Sequence, residues 1–485
     1  MNKFYITTAI PYVNAKPHIG HALEFVQADV INRYHKIIGD ETLFLSGGDE
    51  NAIKNVRAAE KEEIPIQEFV DKNSKLFEEL AEKLNVHFDV FQKGSDLRHH
   101  SSSQKLWELC FAENDIYKKE YSGLYCVGCE LFYDKEELNE KGECFEHPGK
   151  KLDRVSEINY FFKLSKYQKK IKELIESDTL KIIPEERKNE ALAFIDQGLK
   201  DISISRSSKR AKNWGVPVPN DSTQRLYVWF DALNIYQSGI GFGSLLQKDE
   251  KRYKKWWPAD LHIIGKGILR FHAIFWPAFL LSAKLKLPKS IFVHGYLTVD
   301  GQKMSKTLGN VIDPIGLIDK YETDAIRYYL LRDISTFADG DFSEKRLKEI
   351  YNADLANGIG NLVARVAKLA EIVNYQQMQS VSKTYAHIIA IEEYSEALLE
   401  FRFNDALSFI WKKITLLDRF INNEKPWKLL KTKSQRLKTI LDHAIDQIQE
   451  IAILLEPFLP ETAEKIETQF KSPKISSGKP LFPRM

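Results

Sequence analysis

Cysteine is scarce: four residues in a chain of 485. A disulfide framework is therefore not expected, and the few thiols point to a metal site or to free cysteines. An excess of one charge is also missing. Seventy basic residues stand against sixty-eight acidic ones, a formal balance of +2. Global charge then says nothing about nucleic acid, and local patches must decide. No apolar run is long enough to span a bilayer. The N-terminus lacks the basic and apolar segments of a secretory leader. A cytoplasmic protein that meets no membrane is expected. No internal repeat and no long low-complexity segment occurs. What is present is ordinary globular material, 43% hydrophobic and 28% charged, in a chain long enough for about three domains.

The stretch Lys3–Ile38 organises the rest. Phe4 to Ile10 form a short apolar, β-branched run that predicts a buried strand. Pro11 and Pro17 bracket a loop. Ala22, Phe25, Val26, Val30, Tyr34 and Ile37 then recur at three- and four-residue steps, so a helix starts near Pro17. Leu43-Phe44-Leu45 is a second strand. Strand, helix, strand is the first unit of a doubly wound parallel nucleotide-binding sheet. His18, Gly20 and His21 sit at the helix start, where backbone N–H groups and the helix dipole suit phosphate. Gly20 permits close approach of a ligand. Two imidazoles that merely cap the helix are the alternative. Asp49, just past the second strand, is either a partner for an ammonium group or a cap for a helix over Ala52–Lys61.

Between Tyr117 and Leu226 the sheet pattern breaks. Cys126-Val127-Gly128-Cys129 and Cys144-Phe145-Glu146-His147 each place two soft ligands on a tight turn. Cys126, Cys129, Cys144 and His147 make a closed tetrahedral set, the pattern of one structural zinc ion; free thiols at this spacing are the alternative. Cys110 falls in a helical run and is expected in the core. The sheet is expected to resume over Arg225–Asp231, then Leu261–Lys266 with Gly265 at its turn, then Ile291–Leu297. The last feeds the loop Asp300–Asn310. Glycines flank it, and Lys303 and Lys306 lie three apart, placed to close over a triphosphate or simply to be solvated.

His18-Ile19-Gly20-His21 and Lys303-Met304-Ser305-Lys306-Thr307 resemble the two signature motifs of class I aminoacyl-tRNA synthetases. Ala9-Ile10-Pro11-Tyr12, Tyr125–Glu130, Tyr227–Ala232 and Phe271–Pro277 are similar to segments of the methionyl-tRNA synthetase family. The resemblance runs from about Phe4 to Pro483. It implies activation of L-methionine with ATP and Mg²⁺, and transfer to methionine tRNA, initiator and elongator. It implies His18, His21, Lys303 and Lys306 as catalytic groups, and Gly20, Glu24 and Gly265 with His18, His21 and Lys306 around ATP. Asp49 and the backbone near Ile10 would hold the methionine ammonium. Ile10, Tyr12, Trp229, Ala232, Leu233, Tyr236, Ile268 and His272 would form the methionine side-chain pocket, where aromatic rings suit a thioether. Three positions depart from the family pattern: Thr307 for serine, Asn51 for histidine and Gly267 for aspartate. A single knuckle resembles the one-zinc subgroup.

From about Glu344 three apolar stripes at helical spacing predict an all-α bundle: Leu355 to Val373, Leu407 to Ile421 and Ile440 to Ile451. The bundle carries the basic run Lys412–Lys438, with Pro426-Trp427 inside it. The resemblance implies an anticodon-binding domain that uses Asn361, Arg365 and Trp427. The bundle is the last domain seen, so a monomer is expected. The domains are accordingly 1–116 and 226–343 for the two halves of a Rossmann-type catalytic domain with a mobile loop at 303–307, 117–225 for the insertion with its knuckle at 126–147, and 344–485 for the bundle. Two other classes fit parts of the pattern: a small-molecule adenylyltransferase, which lacks a basic bundle, and a non-catalytic RNA-binding relative, against which the Lys303–Lys306 pair argues.

Overall fold

The computed structural model describes residues 2–128, 131–133, 138–144, 149–304, 309–375, 391–431, 434–471 and 474–485. Its centre is a parallel six-stranded sheet. Its strands are β1 (Lys3–Thr8), β2 (Glu41–Gly48), β3 (Val90–Lys93), β4 (Lys181–Ile183), β5 (Leu261–Gly265) and β6 (Ser290–His294). They lie in the order β3-β2-β1-β5-β6-β4. The chain order thus reverses between β1 and β5, the switch point at which doubly wound sheets open a crevice beyond the strand ends. Thr7 pairs with both Leu45 and His262 across that point. The first helix, α1 (Ile19–Ile37), starts where the apolar period predicted and buries its stripe on the sheet.

The expected strand over Arg225–Asp231 is corrected. Asp221–Leu226 is a strand, but it pairs antiparallel with Ser205–Ser207 in a small separate sheet, and Val228–Ala232 is a short helix. A continuous apolar run does not distinguish a buried strand from a buried helical turn. The insertion, in turn, contributes β4, which pairs parallel with β6 along Ser290–Phe292. The body of the insertion is an antiparallel sheet built on Ile116–Cys126 and Asp153–Phe162. Cys110 is buried in the helix Leu97–Ala112, and burial pushes its thiol up to about 12.

The first apolar stripe runs from the π-helical segment Tyr351–Gly360, with non-helical backbone at Gly358, into the helix Asn361–Ile372, and the other two are helices over Phe403–Glu424 and Gln435–Leu455. Their apolar faces belong to the same core cluster as α1. Phe292 of β6 stacks on Phe401 at 4.3 Å. The buried Arg327 guanidinium pairs with Asp29 of α1 at 2.8 Å and donates to the Pro457 and Phe458 carbonyls. A buried charge needs such a full set of partners. The bundle is thereby fixed to the helix that carries the first motif. Among the described residues, no helix is long and apolar enough to cross a membrane.

Candidate active site

His18 is the N-cap of α1. Its Nδ1 accepts from the Gly20 N–H at 3.1 Å, and His21 Nδ1 accepts from the His18 N–H at 3.1 Å. Both rings therefore carry their proton on Nε2. Capping and ligand binding are not rival uses here, since capping occupies only Nδ1. Burial pushes His18 down to about 4, and burial with the neighbouring His18 ring holds His21 well below its ordinary value. At neutral pH the pair is two uncharged N–H donors at the positive end of a helix. The rings lie 3.9 Å apart.

The second motif reaches the first. A Cβ added at Gly20 would lie 3.7 Å from Cε of Met304 and 2.9 Å from the His18 ring. Gly20 thus keeps open the space between the two motifs. The backbone of Lys303 is on the short strand Gln302–Lys303, while its side chain and Lys306 lie outside the described residues. Glu24 spends its carboxylate within the protein: Oε1 accepts from the Ala9 N–H at 2.9 Å and Oε2 meets His294 Nε2 at 2.9 Å. It therefore fixes the loop after β1 to the end of β6. His294 also faces Gly265, where an added Cβ would lie 3.5 Å from its ring. The Gly267 turn leaves Lys266 paired with Asp339 at 2.8 Å.

The side-chain pocket is aromatic. Trp229 stacks on Phe271 at 3.7 Å and meets the Tyr12 edge at 6.0 Å. The Ile268 carbonyl can only accept, so His272 Nδ1 donates to it at 3.0 Å, and His272 Nε2 accepts from the Tyr236 hydroxyl at 2.8 Å. Burial holds His272 at about 4 and Tyr236 well above its usual value, so the pocket wall is uncharged. Ala232 and Leu233 are buried behind it, with Ile10 and Ile268 half-buried. Asp49 is buried, with its N–H bonded to the Pro11 carbonyl at 2.8 Å beside Tyr12. The helix that follows has Ala52 as its N-cap, a residue with no side-chain acceptor of its own.

One cluster escaped the sequence reading. Asp231, 2% exposed, accepts from His99 Nε2 at 2.7 Å, Ser103 Oγ at 2.9 Å and Asn51 Nδ2 at 2.6 Å. Burial would raise Asp231, but His99 and the Asn51 amide hold it below the usual carboxylate range. This carboxylate ties the loop that carries Asp49 to the helix that carries Trp229. Asn51, the departure from the histidine pattern, keeps a donor in that network. No local signal marks it, because His99 and Asp231 are far apart in the chain.

Cys126 and Cys144 are both buried, with sulfurs 3.3 Å apart. That is too long for a disulfide and near the ~3.7 Å edge of a tetrahedron with ~2.3 Å zinc–sulfur bonds. Cys129 and His147 lie outside the described residues. The turn touches the pocket, since Lys54 donates to the Gly128 carbonyl at 3.1 Å and sits 3.0 Å above the Tyr12 ring. In the bundle, Trp427 is 43% exposed. The Arg365 guanidinium lies 5.9 Å from its ring, bonded to Asp418 at 2.6 Å and Asn422 at 2.8 Å. Asn361 is exposed on the same helix.

The family described as tRNA synthetases class I (M) matches residues 4–367. The methionine–tRNA ligase of Brucella suis is 40% identical over 475 residues, covering 96% of this chain and 91% of that protein. The methionine–tRNA ligase of Thermotoga maritima is 40% identical over 475 residues, covering 96% of this chain and 74% of that protein. The solved structure of Mycobacterium tuberculosis methionyl-tRNA synthetase in complex with methionyl-adenylate superposes with a TM-score of 0.90 at 34% identity, covering 100% of both chains.

Proposed function

The chain belongs to the class I tRNA synthetases of the methionine type, and from that premise we infer how its residues divide the work of a methionine–tRNA ligase. Methionine and ATP give methionyl-adenylate and pyrophosphate, and the 3′-terminal adenosine of tRNA then takes the methionyl group as AMP leaves. The methionine carboxylate is already ionised and is itself the nucleophile. The protein's task is to align it with the α-phosphate and to stabilise charge that develops on the phosphates. His18 and His21 donate their Nε2 protons as hydrogen bonds to phosphoryl oxygens. Being neutral, they do so without titrating in the working pH range. Lys303 and Lys306 close on the leaving pyrophosphate, and Mg²⁺ bound with ATP would neutralise part of its charge. Asp49 pairs with the substrate ammonium. Tyr12, Trp229, Tyr236 and His272 enclose the thioether, a soft group that aromatic rings attract.

The observation that carries this reading is the meeting of the two motifs: the Met304 methyl group lies against the Gly20 gap beside His18. The same reading assigns one structural zinc ion to Cys126, Cys129, Cys144 and His147. The paired, buried sulfurs of Cys126 and Cys144 support it. When bound, the ion would hold the knuckle, and through Gly128 and Lys54 it would help place Tyr12. Asn361, Arg365 and Trp427 form the anticodon-reading surface, supported by the exposed Trp427 ring beside a fixed guanidinium. The enzyme works in the cytoplasm as a monomer. Methionine-dependent exchange of pyrophosphate into ATP, followed by charging of methionine tRNA, tests the assignment.

A further inference from the structure

The partners of Asp231 matter for where they stand in the chain. Asn51 comes two residues after Asp49, and Asp231 comes two residues after Trp229. The side that grips the ammonium and the side that walls the thioether therefore meet at one contact, where Asn51 Nδ2 donates to Asp231 Oδ2 at 2.6 Å. Each side is held firmly. On the first, the Asp49 N–H is bonded to the Pro11 carbonyl at 2.8 Å, Asn55 donates to the Asp49 carbonyl at 2.8 Å, and the Trp214 indole donates to the Glu50 carbonyl at 2.7 Å. On the second, Trp229 and Asp231 share the short helix Val228–Ala232, and the Trp229 ring is stacked on Phe271. A third element braces the contact. Asn51 gives its other amide hydrogen to the Gly94 carbonyl at 2.7 Å, and His99, on the helix that follows Gly94, holds Asp231 Oδ1. Asn51, His99 and Asp231 are all buried.

An amino acid bound in this site spans that frame. Its ammonium is fixed at Asp49 and its sulfur at Trp229, so the frame measures the chain of methylenes between them. We propose that the Asn51–Asp231 contact is the strut that sets this span, and that Asn51 and Asp231 are positioning residues that select substrate length. A hydrogen bond to a charged acceptor is short and directional, and out of water it is costly to leave unmade. Apolar contact alone would let the two walls slide. The proposal rests on methionine being the amino acid held between Asp49 and Trp229.

The test is pyrophosphate exchange with methionine, S-methylcysteine and homomethionine, whose sulfur sits one methylene nearer to the ammonium or one farther from it. The wild type should prefer methionine to each by roughly 10–200-fold in kcat/KM, the usual worth of one methylene. Asn51→Ala should lower kcat/KM for methionine by ~10²-fold, the cost of a misplacement of ~1 Å. The loss should lie mainly in KM for methionine, with KM for ATP unchanged. The preference over both analogues should shrink to a few-fold. Asn51→His keeps an N–H donor and should restore both. Ser103→Ala removes another donor to the same carboxylate, 2.9 Å from Oδ1, without cutting the strut. It should cost stability and keep the preference. If Asn51→Ala keeps the wild-type preference, or Ser103→Ala loses it to the same degree, the strut sets no length and the proposal fails. Should Asn51→Ala not fold, Asn51→Ser, whose hydroxyl falls short of Asp231, carries the same expectation. A wild type with no methionine-dependent exchange would instead overturn the reading on which the proposal rests.

Discussion

Acidification from pH 7.5 to 5.5 should leave adenylate formation nearly unchanged, although two histidines stand at the proposed phosphate site. An imidazole in water titrates near 6.5. With His18 held by burial at about 4, roughly 1% of molecules carry its charge at pH 6, against roughly three quarters for an unperturbed ring. Stability should behave in the opposite way. A lowered pKa in the folded state means that the unfolded chain binds more protons. The stability conferred by neutral His18 and His272 is therefore complete above about pH 6.5 and is lost as pH falls toward about 4. At pH 5 the loss is about 2 kcal/mol for each ring. Asp324, raised by burial to about 6, works the other way by about 1 kcal/mol over the same range. The assay is kcat/KM for pyrophosphate exchange against pH, beside urea unfolding at pH 7, 6 and 5. His272→Gln should lose less stability than the wild type on going from pH 7 to 5, by about 2 kcal/mol. A break in kcat/KM with an apparent pKa near 6.5, or an unchanged unfolding free energy down to pH 5, would refute the neutral-donor account.

Lys306→Ala should slow adenylate formation by ~10²–10³, the usual cost of one lost transition-state contact, with methionine binding retained; near-normal single-turnover adenylation would remove Lys306 from the leaving-group site. Purified protein should contain one equivalent of zinc. Cys126→Ser should release it and raise the KM for methionine through the Gly128–Lys54–Tyr12 chain, whereas metal analysis that finds no zinc contradicts the knuckle. Trp427→Ala should weaken charging of methionine tRNA by roughly 5- to 150-fold while tRNA-free exchange stays constant. A parallel fall in exchange, or markedly earlier melting, would make Trp427 a packing residue.

Legibility in the sequence followed the range of the interaction. The helix after His18 was readable because its apolar period and its proline entry are local. The same holds for the bundle stripes, whose residues Ile359, Ile410 and Ile445 are all fully buried. Trp427 was harder, since bare sequence favours a core tryptophan, and only the family resemblance pointed to its exposure. Partnerships across the chain left no local trace. Asp231 needs His99, Ser103 and Asn51; Arg365 needs Asp418 and Asn422; Arg327 needs Asp29 and the carbonyls of Pro457 and Phe458. The run Arg225–Asp231 misled because apolar continuity does not set the partner of a strand. Leu226 turned to Ser205 and not to the main sheet.

The central claim is that the cradle at His18–His21 activates methionine for transfer to tRNA. Pyrophosphate exchange measured with each of the twenty amino acids in turn tests it most directly. Exchange supported by methionine alone, followed by charging of methionine tRNA, is the predicted result. Exchange driven as well by another amino acid, or none with methionine, would contradict it.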